Sequence, residues 1–298
     1  MAVSSKNIRI FFRFRKKYLR ARFVFGMSAL LLLVAFTALP LVYVISTAFK
    51  PMDELYLFPP RFFVRNPVFA NFEELFVSLG SSVVPFWRYV INSVFTAGAS
   101  VFLSVWVCCM GAYALAKLPF PARNTVFLII VASMMFSPHV TKIPTYMVVN
   151  GLGLFNNYMA LIIPNIAVGG SLFLVKQFAE QMPNELLEAA RIDGANEWTL
   201  FRKIAMPFLR PAWSTLIVFS FVANWNDYFS PLIFTSKDVM KTMPLVLQTI
   251  GGGAGAASLG RAGAVAAATF LMTMPTVVVF TVMQSKVVQT MAHAGIKG

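Results

Sequence analysis

The sequence predicts an all-α polytopic membrane protein of about six transmembrane helices. Apolar residues make up 58% of the 298 and charged residues 12%, where a soluble globular domain carries about 25% charged residues. The mean hydropathy is +0.72. About six apolar stretches approach the roughly 20 residues that a helix needs to cross the hydrocarbon core. Basic residues fall unevenly on the segments between them, as the positive-inside rule requires of a spanning chain.

The predicted spans lie near 24–49, 89–116, 124–145, 157–177, 211–234 and 263–284. The first is too long for the core of a signal peptide, so it reads as a retained anchor behind a basic leader. The second carries Cys108 and Cys109 side by side. Neighbours on a helix point to different faces, so this pair makes no ordinary metal site and reads as two small buried apolar side chains. Pro138 and Pro144 accompany the third span, and Pro164 and Asn165 the fourth. The fifth is the least continuous, interrupted by Asn224, Asn226, Asp227 and Pro231, and the sixth contains Pro275. Prolines in spans break backbone bonds and can kink helices; no gate is read from them.

The formal net charge of +14 raises the question of an anionic partner. With the N-terminus inside, 17 of the 25 Lys and Arg fall on inner segments, eight of them in residues 1–23, and 8 on outer segments. That asymmetry puts both termini and the segment 178–210 in the cytosol. The charge therefore sets topology and contact with anionic lipid, and nucleic acid is not an expected partner. Within the basic tail, Ile10-Phe11-Phe12-Arg13-Phe14-Arg15 suits an interfacial amphipathic segment. His139 and His293 lack any zinc or nucleophile pattern. No Gly-x-x-x-x-Gly-Lys-Ser/Thr phosphate loop occurs in the chain, so any ATP must be bound by another subunit. No catalytic residue, metal site or cofactor is expected.

Segment 178–210 is predicted to form a helix, a corner and a second helix. Pro183 suits a helix start, because its missing N–H is one of the unpaired donors of the first turn. Asn184, Glu185 and Glu188 put polar and acidic groups near the positive helix end. Leu186, Leu187 and Ala190 are expected on one face. Gly194 is the residue best able to take the left-handed conformation that ends a helix. A second helix is expected from Asn196 through Arg202, stopped by Pro207.

Glu188-Ala189-Ala190, Asp193-Gly194-Ala195, Ile204 and Pro207 resemble the EAA loop of ATP-binding-cassette importer permeases. Asn92-Ser93, Gly111-Ala112-Tyr113-Ala114-Leu115-Ala116-Lys117, Asn224-Trp225-Asn226-Asp227 with Pro231-Leu232-Ile233-Phe234, and the tail Gly295-Ile296-Lys297-Gly298 are similar to parts of carbohydrate-importer permeases of the maltose type. The likeness covers roughly residues 24 to 298. It implies the type I importer permease fold in a bacterial or archaeal plasma membrane. It also implies a second permease subunit as heterodimer partner, two ATPase subunits holding ATP and Mg, and an extracytoplasmic solute-binding protein. Glu188, Ala189, Ala190, Asp193, Gly194 and Ala195 would then couple to the ATPase, which the C-terminal tail would also approach.

Polar groups inside hydrocarbon must pair, face a cavity or act on a cargo. Asn224, Trp225, Asn226, Asp227 and Tyr228 offer amide, carboxylate and aromatic groups suited to hydroxyl-rich cargo, with Asn165 as a further candidate and Asn92 as a helix-end or interhelical partner. The same groups also suit interhelical hydrogen bonds, and both readings stand at this point. In the outer loop 235–262, Gly251, Gly252, Gly253 and Gly255 form a flexible stretch; the resemblance suggests it contacts the binding protein, and a plain connector is the alternative. Import of a non-sugar solute by the same machinery is the nearer rival function. A secondary transporter is the more distant one, because Asp227 is the only acid assigned to a span.

Overall fold

A computed structural model describes residues 5–80, 84–251 and 262–295. Those residues contain helices and turns but no strand. Helix α1 (Ser5–Ala48) runs from the basic segment through the first span without interruption, and its apolar part is Phe23–Ala48. Short α2 (Met52–Leu55) and α3 (Ala70–Gly80) follow. Then comes α4 (Phe86–Lys117), the central strut. Around α4 pack α8 (Gly169–Glu180) and α12 (Arg210–Trp225), while α15 (Ala262–Gly295) packs on α12, α1 and α3.

Three spans are single long helices, Phe23–Ala48, Phe86–Lys117 and Ala262–Ser285. The other three predicted spans are broken, the third and fourth beside a proline. The third divides into α5 (Arg123–Ser133) and α6 (Pro138–Gly151), bent by 111°. Ser137 precedes Pro138 and is held at ψ 136°, because the proline ring disfavours a helical residue before it. The fourth divides into α7 (Met159–Ile162), a 3₁₀ turn Ile163–Asn165 containing Pro164, and α8, with a bend of 43°.

The fifth span ends as a helix at Trp225, nine residues short of the expected 234. Asp227 starts a new short helix, α13 (Phe229–Phe234), by accepting the backbone N–H groups of Phe229 and Ser230 at 3.1 and 3.0 Å. Pro231 sits in that first turn, where an N–H has no intrahelical partner to lose.

Outward surfaces of the bundle are apolar. Leu31, Leu32, Val34 and Phe36 of α1 are more than half exposed, the inversion expected where hydrocarbon, rather than water, surrounds a helix. Close packing shows at Gly263, where a Cβ would overlap the amide of Asn71. Asn71 is buried and donates to the carbonyls of Ala48 and Lys50, closing the end of α1.

Candidate functional site

The loop after α8 forms α9 (Asn184–Ile192), the Gly194 corner and α10 (Glu197–Leu200). Gly194 has φ +84°. Its N–H meets the Arg191 carbonyl at 3.0 Å and the Ala195 N–H reaches back to Ala190 at 2.9 Å, the paired bonds of a Schellman helix end. Asn196 then caps α10 by accepting the Thr199 N–H at 2.8 Å.

Pro207 does not stop the second helix as expected. A π-helical turn, Phe201–Ala205, leads into α11 (Met206–Phe208), which contains Pro207, and the chain bends by 76° only at Leu209 before α12. Pro207 stands in the first turn of α11, where the missing N–H does little harm.

Two side chains at the end of α4 hold this corner. Tyr113 donates its hydroxyl to Glu197 Oε2 at 2.9 Å, while Arg191 Nε and Nη2 donate to Glu197 Oε1 at 3.0 and 2.9 Å. Lys117 Nζ donates to the Met182 carbonyl at 2.6 Å and to Asn184 Oδ1 at 2.9 Å. Trp106 of α4 stacks on Trp198, and both rings meet Phe201. The brace on Glu197 was not read from the sequence, although Tyr113 and Lys117 lie four residues apart at the polar end of an apolar run.

Glu188, Ala189, Asp193 and Gly194 are exposed, and Ala190 and Ala195 are half-buried against the bundle. Leu186 does not share the inner face with Leu187: Leu187 is 2% exposed and Leu186 49%. Adjacent helical residues diverge by about 100°, so only one of the two can point inward. With Ile192 86% exposed, the outer face of α9 combines acids with apolar side chains.

A cavity of about 220 Å³ lies where the fourth and fifth spans break, lined by Asn165, Ser171, Ser220, Asn224 and Asp227 with Val168, Phe219 and Ala223. Three of the six expected cargo residues therefore converge. The other three do not. Trp225 is 3% exposed, stacks on Phe221 and donates Nε1 to the Met272 carbonyl of α15 at 2.9 Å; an indole needs an internal acceptor once buried, so it locks helices together. Asn226 turns back to the Val222 carbonyl at 2.8 Å. Tyr228 is exposed with its ring edge against Phe229.

Asn92, in the second turn of α4, bonds to other elements as expected. Its amide donates to the carbonyls of Val239 and Lys241, both at 2.9 Å, and accepts the Tyr158 hydroxyl at 2.8 Å. Ser93 Oγ accepts the Met243 N–H at 2.8 Å. These bonds fix the turn Asp238–Met240 ahead of α14 (Met243–Gly251). Loop 235–262 thus carries α14, which ends at Gly251, while Gly252, Gly253 and Gly255 lie outside the described residues. Cys108 and Cys109 are buried and unpaired, as expected. Among the described residues no cluster of His, Cys, Asp or Glu could hold a metal ion.

A helical bundle with apolar outer faces, a polar cavity at two broken spans and a braced, surface-exposed corner defines a membrane permease. The chain belongs to the family of binding-protein-dependent transport system inner membrane components, whose model matches residues 63–293. It is 31% identical to the sn-glycerol-3-phosphate transport system permease protein UgpE of Escherichia coli O157:H7, over 88% of this chain and 92% of that protein. It is 29% identical to the arabinooligosaccharides transport system permease protein AraQ of Halalkalibacterium halodurans, over 89% and 93%. Its fold matches a chain in the crystal structure of a bacterial ABC transporter that imports the acidic polysaccharide alginate. The TM-score is 0.77 at 22% identity, covering 89% of this chain and 97% of that one. A second such structure, in complex with an alginate pentasaccharide-bound periplasmic protein, matches with a TM-score of 0.60 at 16% identity.

Proposed function

We propose that this chain is one half of the membrane pore of a carbohydrate importer. It would work with a second permease, two ATPase subunits that bind ATP and Mg, and an extracytoplasmic solute-binding protein. The observation that carries the reading is the corner at Gly194: a short helix with an acidic and apolar outer face, held at a fixed angle by Tyr113, Arg191 and Glu197. Such a helix fits a groove in a partner. Because its base is tied to α4, movement of that groove would pass to the bundle as a rigid-body rotation. Glu188, Ala189 and Asp193 are the contact residues in this reading, Gly194 the corner, and Ala190 and Ala195 its support. Segment 178–210 then faces the cytosol together with both termini, and loop 235–262 faces outward, where the Gly251–Gly255 stretch would meet the binding protein.

The cargo class is supported by AraQ among the relatives and by the amide, hydroxyl and carboxylate lining of the cavity. The experiment is co-expression with the neighbouring transport genes, reconstitution in lipid, and ATP hydrolysis with and without binding protein loaded with candidate oligosaccharides. Stimulation by one sugar, abolished by Gly194→Val and Glu188→Ala together, is the expected result. Failure to copurify an ATPase overturns the importer reading, and indifference to every loaded sugar overturns the carbohydrate assignment.

A further inference from the structure

We infer that the cavity between α8 and α12 recognises a neutral, hydroxyl-rich cargo and discriminates against acidic ones; the inference rests on the importer reading and specifies its substrate class. The cavity has the marks of a site. Asn165 lies 15 residues from the inner end of its span, and Asn224 lies 14 residues from the start of α12. At 1.5 Å per residue Asn224 stands about 20 Å along α12 from its start, and Asn165 lines the same cavity. Both spans are interrupted at that depth, and irregular backbone inside a membrane is tolerated where it is buried in protein or lines a cavity.

The hydrogen-bond inventory then gives the sign of the ligand. Asn224 directs Nδ2 to the Ser220 carbonyl at 2.7 Å and to Ser220 Oγ at 3.2 Å. Asn165 directs Nδ2 to the Leu161 carbonyl at 2.9 Å. A backbone carbonyl can be served only by the NH₂ end of an amide, so these contacts fix both orientations and leave the two Oδ1 atoms to be offered. Asp227 uses Oδ1 for the two N–H groups that start α13 and keeps Oδ2.

The lining thus presents three acceptor oxygens and the hydroxyls of Ser171 and Ser220, and no cation. Lys142 lies outside the lining: Nζ donates to Ser230 Oγ at 2.9 Å and stands 6.0 Å from the Phe229 ring centre. Sugar hydroxyls can donate to all three acceptors. A uronate or phosphate would meet the Asp227 carboxylate with no Lys or Arg among the lining residues to offset it.

The test is equilibrium binding of maltotriose and of trigalacturonate to the complete transporter in nanodiscs, without binding protein. Asp227→Asn is the diagnostic variant. It keeps an oxygen for the two backbone N–H groups of α13 while replacing the charged acceptor by an amide donor. Wild type is expected to prefer maltotriose by at least about tenfold, equivalent to one pK unit of charge discrimination, and Asp227→Asn to bring that ratio near unity. Equal or tighter trigalacturonate binding in wild type, an unchanged ratio in Asp227→Asn, or binding of neither sugar would each overturn the proposal. Failure of the importer reading is distinguishable, because it appears as absence of the ATPase from the purified assembly.

Discussion

The side-chain amide of Asn92 donates to the backbone carbonyl of Lys241 at 2.9 Å, across 149 positions of sequence. With the second amide hydrogen on Val239 and the carbonyl taken by Tyr158, a side chain only 2% exposed satisfies three groups from two distant segments. Ser93 adds the Met243 N–H, so adjacent residues of α4 hold the Asp238–Met240 turn and the start of the fourth span in one place.

Asn92→Ala strands two carbonyls and a hydroxyl in this interior, and each unsatisfied group costs about 1–3 kcal/mol. Partial relaxation of the turn should bring the total to about 3 kcal/mol, read as a lowered melting temperature of the detergent-solubilised assembly. Tyr158→Phe removes one bond only and should cost about 1 kcal/mol. Equal losses from the two variants would show that Asn92 acts through Tyr158 rather than through the Asp238–Met240 turn.

Gly194 has open space around a built Cβ, so its requirement is conformational rather than steric. At φ +84° a β-branched residue is strained by about 1–3 kcal/mol. Gly194→Val should lower substrate-stimulated ATP hydrolysis while leaving the bundle folded. Gly194→Asn, which tolerates the left-handed region, should retain most of it. An asparagine variant as impaired as valine would refute the corner argument.

The brace at Glu197 separates coupling from stability. Its ion pair with Arg191 is exposed, and such pairs are worth about 0–1 kcal/mol; the Tyr113 hydroxyl adds a bond of about 1 kcal/mol. Glu197→Gln should therefore change melting little, yet loosen the angle between α9 and α4 and lower ATP turnover per stimulus. Stimulated hydrolysis equal to wild type would mean that the corner is held by Lys117 and the stacked Trp106 and Trp198 alone.

Much of this was legible in the sequence, for different physical reasons. The three uninterrupted spans follow from apolar length alone, and the Gly194 corner from the rarity of residues that accept positive φ. The breaks of the third, fourth and fifth spans were signalled by Pro138, Pro164 and Asp227, but hydropathy averages over them, because flanking segments on both sides of a bend are equally apolar. The position of Leu186 and the continuation past Pro207 depend on tertiary packing and on a π-turn, neither of which has a periodic signature. Asn224 and Trp225 are neighbours of equal promise in sequence. Only their helical phase sends one to the cavity and the other into the core.

That phase makes Trp225 a test of the whole assignment. Its indole N–H meets the Met272 carbonyl at 2.9 Å and its ring stacks on Phe221 with centroids 5.6 Å apart. Trp225→Phe keeps an aromatic ring for the stack but removes the indole donor and its bond to the Met272 carbonyl, a loss of about 1 kcal/mol. The expected outcome is a lower melting temperature with cargo affinity unchanged, measured on the same purified assembly. Asn224→Leu should do the reverse, since its amide bonds are local to its own helix and its carbonyl faces the cavity, so cargo affinity falls while melting shifts little. If Trp225→Phe instead weakens cargo binding and leaves melting intact, the aromatic face belongs to the pathway, and the division between cavity and core drawn at these two neighbours is wrong.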